Sequence, residues 1–146
     1  MMPFMWADTL LAVERAHLIR LAVWGGASLL VGTSLLGLVR IRGHRSALLD
    51  HFGIQTAAWG SIVLALALTG LHRLQLRDLA GATRLDRMLW LNIGLDLGYV
   101  MVGIAVLVLG WRLARRMGLV GAGLAVIVQG LALALLDLVL AGQISR

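Results

Sequence analysis

An all-α membrane protein, folded as an up-down-up-down bundle of four transmembrane helices, is predicted by three features of the chain. Hydrophobic residues make up 60% of the 146 positions and charged residues only 14%, whereas soluble domains carry about a quarter charged residues. Four apolar runs are long enough to cross a hydrocarbon core, which takes about 20 residues at about 1.5 Å rise each. The stretches between them are short and arginine-rich, so successive helices are expected to turn back on one another. Barrel strands would alternate in polarity and be about half as long.

The first run, 21–39, carries no charge. The second, 52–71, is bracketed by His51 and His72. The third, 88–111, contains only Asp96, and the fourth, 117–142, only Asp137. Residues 1–146 thus read as one four-span membrane domain with both termini on the same side. The leading stretch "MMPFMWADTLLAVERAH" lacks the basic start, apolar centre and small-residue cleavage site of a signal peptide, and is expected to stay on the mature protein. It reads either as a short N-terminal interfacial helix, capped at Asp8 or Thr9, or as an early start to the first membrane helix.

Charge and composition narrow the function classes. The formal charge of +6 is carried by arginine without any lysine. These arginines lie in loops and ends without interleaved aromatics, the pattern of headgroup and topology anchors, so no nucleic-acid partner is expected. They divide almost evenly between the two sides, so the positive-inside rule sets no orientation. Arginine in place of lysine, with abundant Leu, Gly and Ala, fits a GC-rich bacterial genome and the bacterial inner (cytoplasmic) membrane. With no cysteine there is neither disulfide nor thiolate chemistry.

Small residues mark where helices can approach closely: Gly25, Gly26, Gly32 and Gly37 in the first run, then Gly53, Ala57 and Gly60 or Ser61 in the second. In the third, Gly94 and Gly98 read either as an internal helix contact or as a dimer seam. The expected partners are therefore the lipid bilayer and either a second copy or another membrane protein.

Polar side chains inside the runs define a candidate site. Measured from the side of the termini, Asn92 lies at a depth of about 6 Å, Asp137 at about 8 Å and Asp96 at about 12 Å. Tyr99, Trp59 and Gln129 fall at about 16–20 Å, Gln55 at about 24 Å and His51 at about 30 Å. Asn92, Asp96, Tyr99 and Gly103 step by four, three and four, which places them on one helix face, and His51, Gln55 and Trp59 step by four on another. Inward placement is demanded by energy. An aspartate at a helix centre costs about 2.5–3.5 kcal/mol on insertion scales, and each interhelical hydrogen bond returns only about 0.6–2 kcal/mol. Asp96 must therefore hold a proton or have water or a cation beside it. It reads either as a functional group or as a protonated carboxyl that fixes helix register. Trp59 has an N–H at midplane depth and needs an acceptor, for which Gln129 is nearest in level; Trp24, Trp90 and Trp111 read as lipid-interface or packing aromatics.

The stretches "HFGIQTAAWGSI", "LNIGLDLGYVMVG" and "AVIVQGLALALLDL", with the Gly25–Gly26 region, resemble an uncharacterised family of small bacterial four-helix membrane proteins, classified as a domain of unknown function. The resemblance covers most of the chain beyond residue 20, with positions 1–18 and the loop 73–87 outside it. It implies that His51, Gln55, Trp59, Asn92, Asp96, Tyr99, Gln129 and Asp137 form a recurring polar core. It implies no activity.

Three readings of function follow. The first is proton- or cation-linked transport through the polar site between helices two, three and four. The second is a structural or accessory subunit whose polar core fixes helix packing. The third is a haem- or metal-binding protein, for which His17 and His72 would bracket a haem. His51 is about 18 Å in depth from Asp96, too far to share an ion, and no cofactor, metal site or catalytic residue is predicted. An enzyme is the less favoured class.

Overall fold

The structure is a computed structural model that describes residues 3–43 and 46–144. It contains four helices, α1 (Pro3–Ile41), α2 (Ala47–His72), α3 (Leu79–Arg112) and α4 (Met117–Ile144), and no strand among the described residues. Each encloses one of the four apolar runs, and all four are long and apolar enough to cross a membrane. α1 and α3 exceed that need: their 39 and 34 residues span about 58 and 51 Å against a hydrocarbon core of about 30 Å. Because α1 is unbroken from Pro3, the leading stretch is an early start to the first long helix and not a separate interfacial one.

The helix starts have local causes. Ser46 Oγ accepts a hydrogen bond from the Leu49 N–H, and Asp78 Oδ1 accepts one from the Gly81 N–H at 2.7 Å, satisfying donors that have no intrahelical partner. The turn into α4 is tight enough to force Ala114 and Arg115 to φ of 52° and 51°, a region that disfavours side chains bearing a Cβ. The Arg115 guanidinium lies 5.2 Å from the centre of the Trp111 ring, a cation–π contact at the same turn.

Small residues decide which helices touch. The buried residues of α2 are Gly53, Thr56, Gly60, Val63 and Ala67, a strict three-four alternation of the kind that keeps one face against a partner helix. α1 packs on that stripe at backbone contact: a Cβ on Gly60 would lie 2.5 Å from the Leu29 amide nitrogen, and one on Gly32 would lie 2.5 Å from that of Ala57. In α3 the residues Ala82, Leu89, Asp96, Gly103 and Gly110, seven apart, are all buried. This seam faces α4, where Gly103 meets Gly123 and Ile127, and Gly110 meets Leu119 and Val120. α4 also packs on α2, where Gly121 sits on the Leu48 carbonyl, and on α1. It is the one helix whose backbone runs close to the other three among the described residues.

Helix directions alternate, but α2 and α3 do not pack side by side as chain neighbours were expected to do. The reason lies in the distribution of small residues. The glycine stripe of α2 is covered by α1, and Gly103 and Gly110 of α3 are covered by α4. Gly94 and Gly98 make no internal contact, since a Cβ at either position would meet nothing within 4 Å. Gly26 and Gly37 of α1 likewise have open space where a Cβ would go, whereas Gly25 lies against Leu64 and Gly60.

These contacts separate two kinds of glycine. Gly60→Val should destabilise the protein by about 1–3 kcal/mol through overpacking, read as a lowered thermal midpoint in detergent. Gly26→Val should leave that midpoint nearly unchanged.

Candidate functional site

Where α2 and α3 fail to meet, a cavity of about 450 Å³ remains, lined by residues of all four helices. Its polar lining consists of Glu14 and His17 from α1, Trp59 from α2, Asn92, Asp96 and Tyr99 from α3, and Asp137 from α4. Glu14, His17, Asp96 and Asp137 are each 6–7% exposed. Four ionisable groups from three helices are therefore buried around one space.

Their placement follows from the helix stripes. Asp96 occupies the seven-residue seam of α3 between Leu89 and Gly103, so the packing that glycine permits at the next turn draws the carboxylate inward. His17 lies on the α1 face turned to α4, and its Nε2 is 3.2 Å from Asp137 Oδ1. One turn earlier, Glu14 receives two hydrogen bonds from Arg77, at 2.8 Å from Nε and 2.6 Å from Nη2. Arg77 is in the linker between α2 and α3, so this fork-shaped pair ties the linker to α1. The hydrogen bonds to Glu14 raise the Arg77 pKa above its ordinary value; partial burial opposes this, and the charge of Glu14 adds to it.

Not every polar atom is satisfied. Asp96 Oδ2 and His17 Nδ1 are buried without a hydrogen-bond partner, an arrangement that costs about 1–3 kcal/mol for a polar group unless something fills the space. Arg20, less than one turn beyond His17, has a buried Nη1 without a partner and does not line the cavity. Towards the middle of the bundle the Trp59 and Tyr99 rings meet edge to face, with centres 5.0 Å apart. This is the contact that joins α2 to α3 across the gap.

The predicted polar residues therefore fall into separate places. Asp96, Asp137, Asn92, Trp59 and Tyr99 all line the cavity, but only Asp96 and Asp137 are buried: Trp59 is half-buried, and Asn92 and Tyr99, expected to be buried, are exposed because α3 has no helix packed over that side. Gln129 does not join them and does not accept from Trp59. Its Oε1 takes the Trp24 Nε1–H at 2.8 Å, and its Nε2 donates to Ser28 Oγ at 3.1 Å, locking α4 to α1. Trp24, read from sequence as an interface or packing aromatic, is part of this buried latch. Gln55 is half-buried, and His51 is exposed at the far end of α2, where its ring lies against Gly118.

Glu14 at the cavity, its partner Arg77 and Ser28 in the latch were not anticipated, and His17, considered with His72 for a haem, was not expected beside Asp137. The signal for two of them was present: Glu14 and His17 are three apart, on one face of a stretch otherwise readable as helix. His17 Nε2 is engaged by Asp137, while His72 is exposed with its Nδ1 3.1 Å from the Leu68 carbonyl oxygen. No cluster of three or more His, Asp or Glu among the described residues is arranged to hold a metal ion.

Residues 20–138 match a family of unknown function, DUF6992. The chain belongs to that family. The DUF6992 segment includes Asp96, Asp137, Trp59, Tyr99 and Gln129, and also the stretch 73–87 that the sequence resemblance left out, which was read as a loop but is helical from Leu79 onward. Glu14 and His17 precede it. Searches of curated proteins and of solved structures gave no match.

The Glu14–Arg77 pair can be separated from its parts. Arg77→Met should lower stability by about 2 kcal/mol, less than the roughly 3–5 kcal/mol of a fully buried pair because the Arg77 side chain is 33% exposed. Adding Glu14→Gln to that variant should recover part of the loss, as measured by thermal unfolding of the two proteins side by side.

Proposed function

We propose that this DUF6992 protein is a proton- or cation-linked transport protein of the bacterial cytoplasmic membrane, with both termini on the same side and Asp96 as the exchanging carboxylate. The observation that carries this reading is the buried set Asp96, Asp137 and His17, brought from three helices to one cavity with an Asp96 oxygen unpartnered. Intramembrane carboxylates are costly, and they persist where a proton or cation is bound and released. Asp137 has the His17 imidazole as its partner, and Glu14 the Arg77 guanidinium. Asp96 is the carboxylate left to take a mobile charge.

α2 contributes no charged group to the cavity lining, so Asp137, His17 and Glu14 are the ionisable neighbours that tune Asp96. The Trp59–Tyr99 contact would bar passage towards the opposite end, and its separation is the movement that a transport cycle needs.

A structural role is the second reading, favoured by the two cross-links of α1, His17–Asp137 and Glu14–Arg77. One experiment decides between them. Proteoliposomes carrying the wild-type chain should show proton flux under an imposed pH gradient, and Asp96→Asn should reduce it to the protein-free baseline. Flux equal to wild type in the variant, with only a changed thermal midpoint, would assign Asp96 to packing.

A further inference from the structure

The position of the cavity's mouth specifies what can reach Asp96. Ile62 and Leu66 of α2 and Met88 and Leu95 of α3 line the cavity and are largely exposed, whereas its lining residues from α1 and α4 are buried or half-buried. Because α2 and α3 do not pack on each other, the mouth is a lateral slot with apolar lips. In a membrane-spanning chain such a slot faces acyl chains.

Inside, mostly aliphatic walls surround a carboxylate oxygen without a partner. Glu14 is held by the Arg77 guanidinium and Asp137 by the His17 imidazole, whereas the buried Asp96 Oδ2 has no hydrogen-bond partner. Trp59 and Tyr99 lie at the same cavity, and aromatic rings attract cations that approach within about 6 Å. No group of three or more His, Asp or Glu among the described residues is arranged to hold a metal ion. A volume of about 450 Å³ lies within the roughly 300–1,000 Å³ of sites that enclose small organic molecules.

We propose that the cavity binds a lipophilic organic monocation, which arrives from the bilayer between α2 and α3 and sets its charge against Asp96 with its apolar groups on Trp59, Tyr99 and the aliphatic walls. This deepens the transport reading and rests on Asp96 as the exchanging carboxylate. A neutral amphiphile would leave the Asp96 charge uncompensated, and an anion would be repelled by it.

The test uses two probes of the same shape and opposite charge, tetraphenylphosphonium and tetraphenylborate. Each is equilibrated with the full chain in lipid nanodiscs, and protein-free nanodiscs set the background partitioning. Saturable excess binding is expected for the cation alone, with affinity falling at least about tenfold in Asp96→Asn, the loss of one charge-assisted partner. Equal binding of both probes, or unchanged cation affinity in a folded Asp96→Asn protein, would overturn the proposal. If that variant fails to fold, the comparison of the two probes on the wild type decides by itself. Proton flux that depends on Asp96 without any preference for the cation would remove this inference and leave the transport reading standing. Selective cation binding without proton flux would do the reverse.

Discussion

Backbone contact between helices, permitted only where a side chain is missing, is the constraint from which the rest of this protein's shape follows. Lipid tails are as apolar as leucine, so helices in a bilayer gain little by hiding leucine from them and associate instead through close packing and interhelical hydrogen bonds. Gly25, Gly32, Gly53 and Gly60 bring α1 and α2 together, and Gly103, Gly110 and Gly123 do the same for α3 and α4. Two tight pairs result, joined through the broader small-residue surface of α4. The line along which the pairs do not close, between α2 and α3, is where the cavity lies.

The buried charges are consequences of the same stripes. Asp96 occupies a position that the α3 seam otherwise gives to Ala, Leu and Gly, so packing at neighbouring turns holds it inside whatever its own preference. His17 and Asp137 meet because α1 also leans on α4. A buried polar contact of this kind contributes little net stability once desolvation is counted, but it fixes the relative height of two helices. The Trp24–Gln129–Ser28 latch fixes that height a second time, deeper in the bundle.

Most of the architecture was legible in the chain, and the polar site only partly. Length, hydropathy and the short charged links located all four helices, and the α2 stripe Gly53, Thr56, Gly60, Val63, Ala67 carries its packing face in its spacing. The seven-residue spacing that buries Asp96 between Leu89 and Gly103 is likewise written in the chain. Acceptor choice is not: Trp59 and Gln129 share a level, yet Trp24 takes the amide, because the angle at which α1 meets α4 is a property of the pair and belongs to neither helix alone.

Sequence by itself determined which segments are long and apolar enough to cross a membrane, because that is a sum over one segment. It also determined which helices are able to approach at backbone distance, since only glycine and its small relatives allow that. Tertiary structure alone decided which of those helices did so, that Gly94 and Gly98 face outward, and that Glu14 and His17 enter the site from a stretch that could equally have lain on the membrane surface. It also left Asp96 without a partner while Asp137 found one. These outcomes depend on the relative rotation and height of four helices, which no single segment encodes.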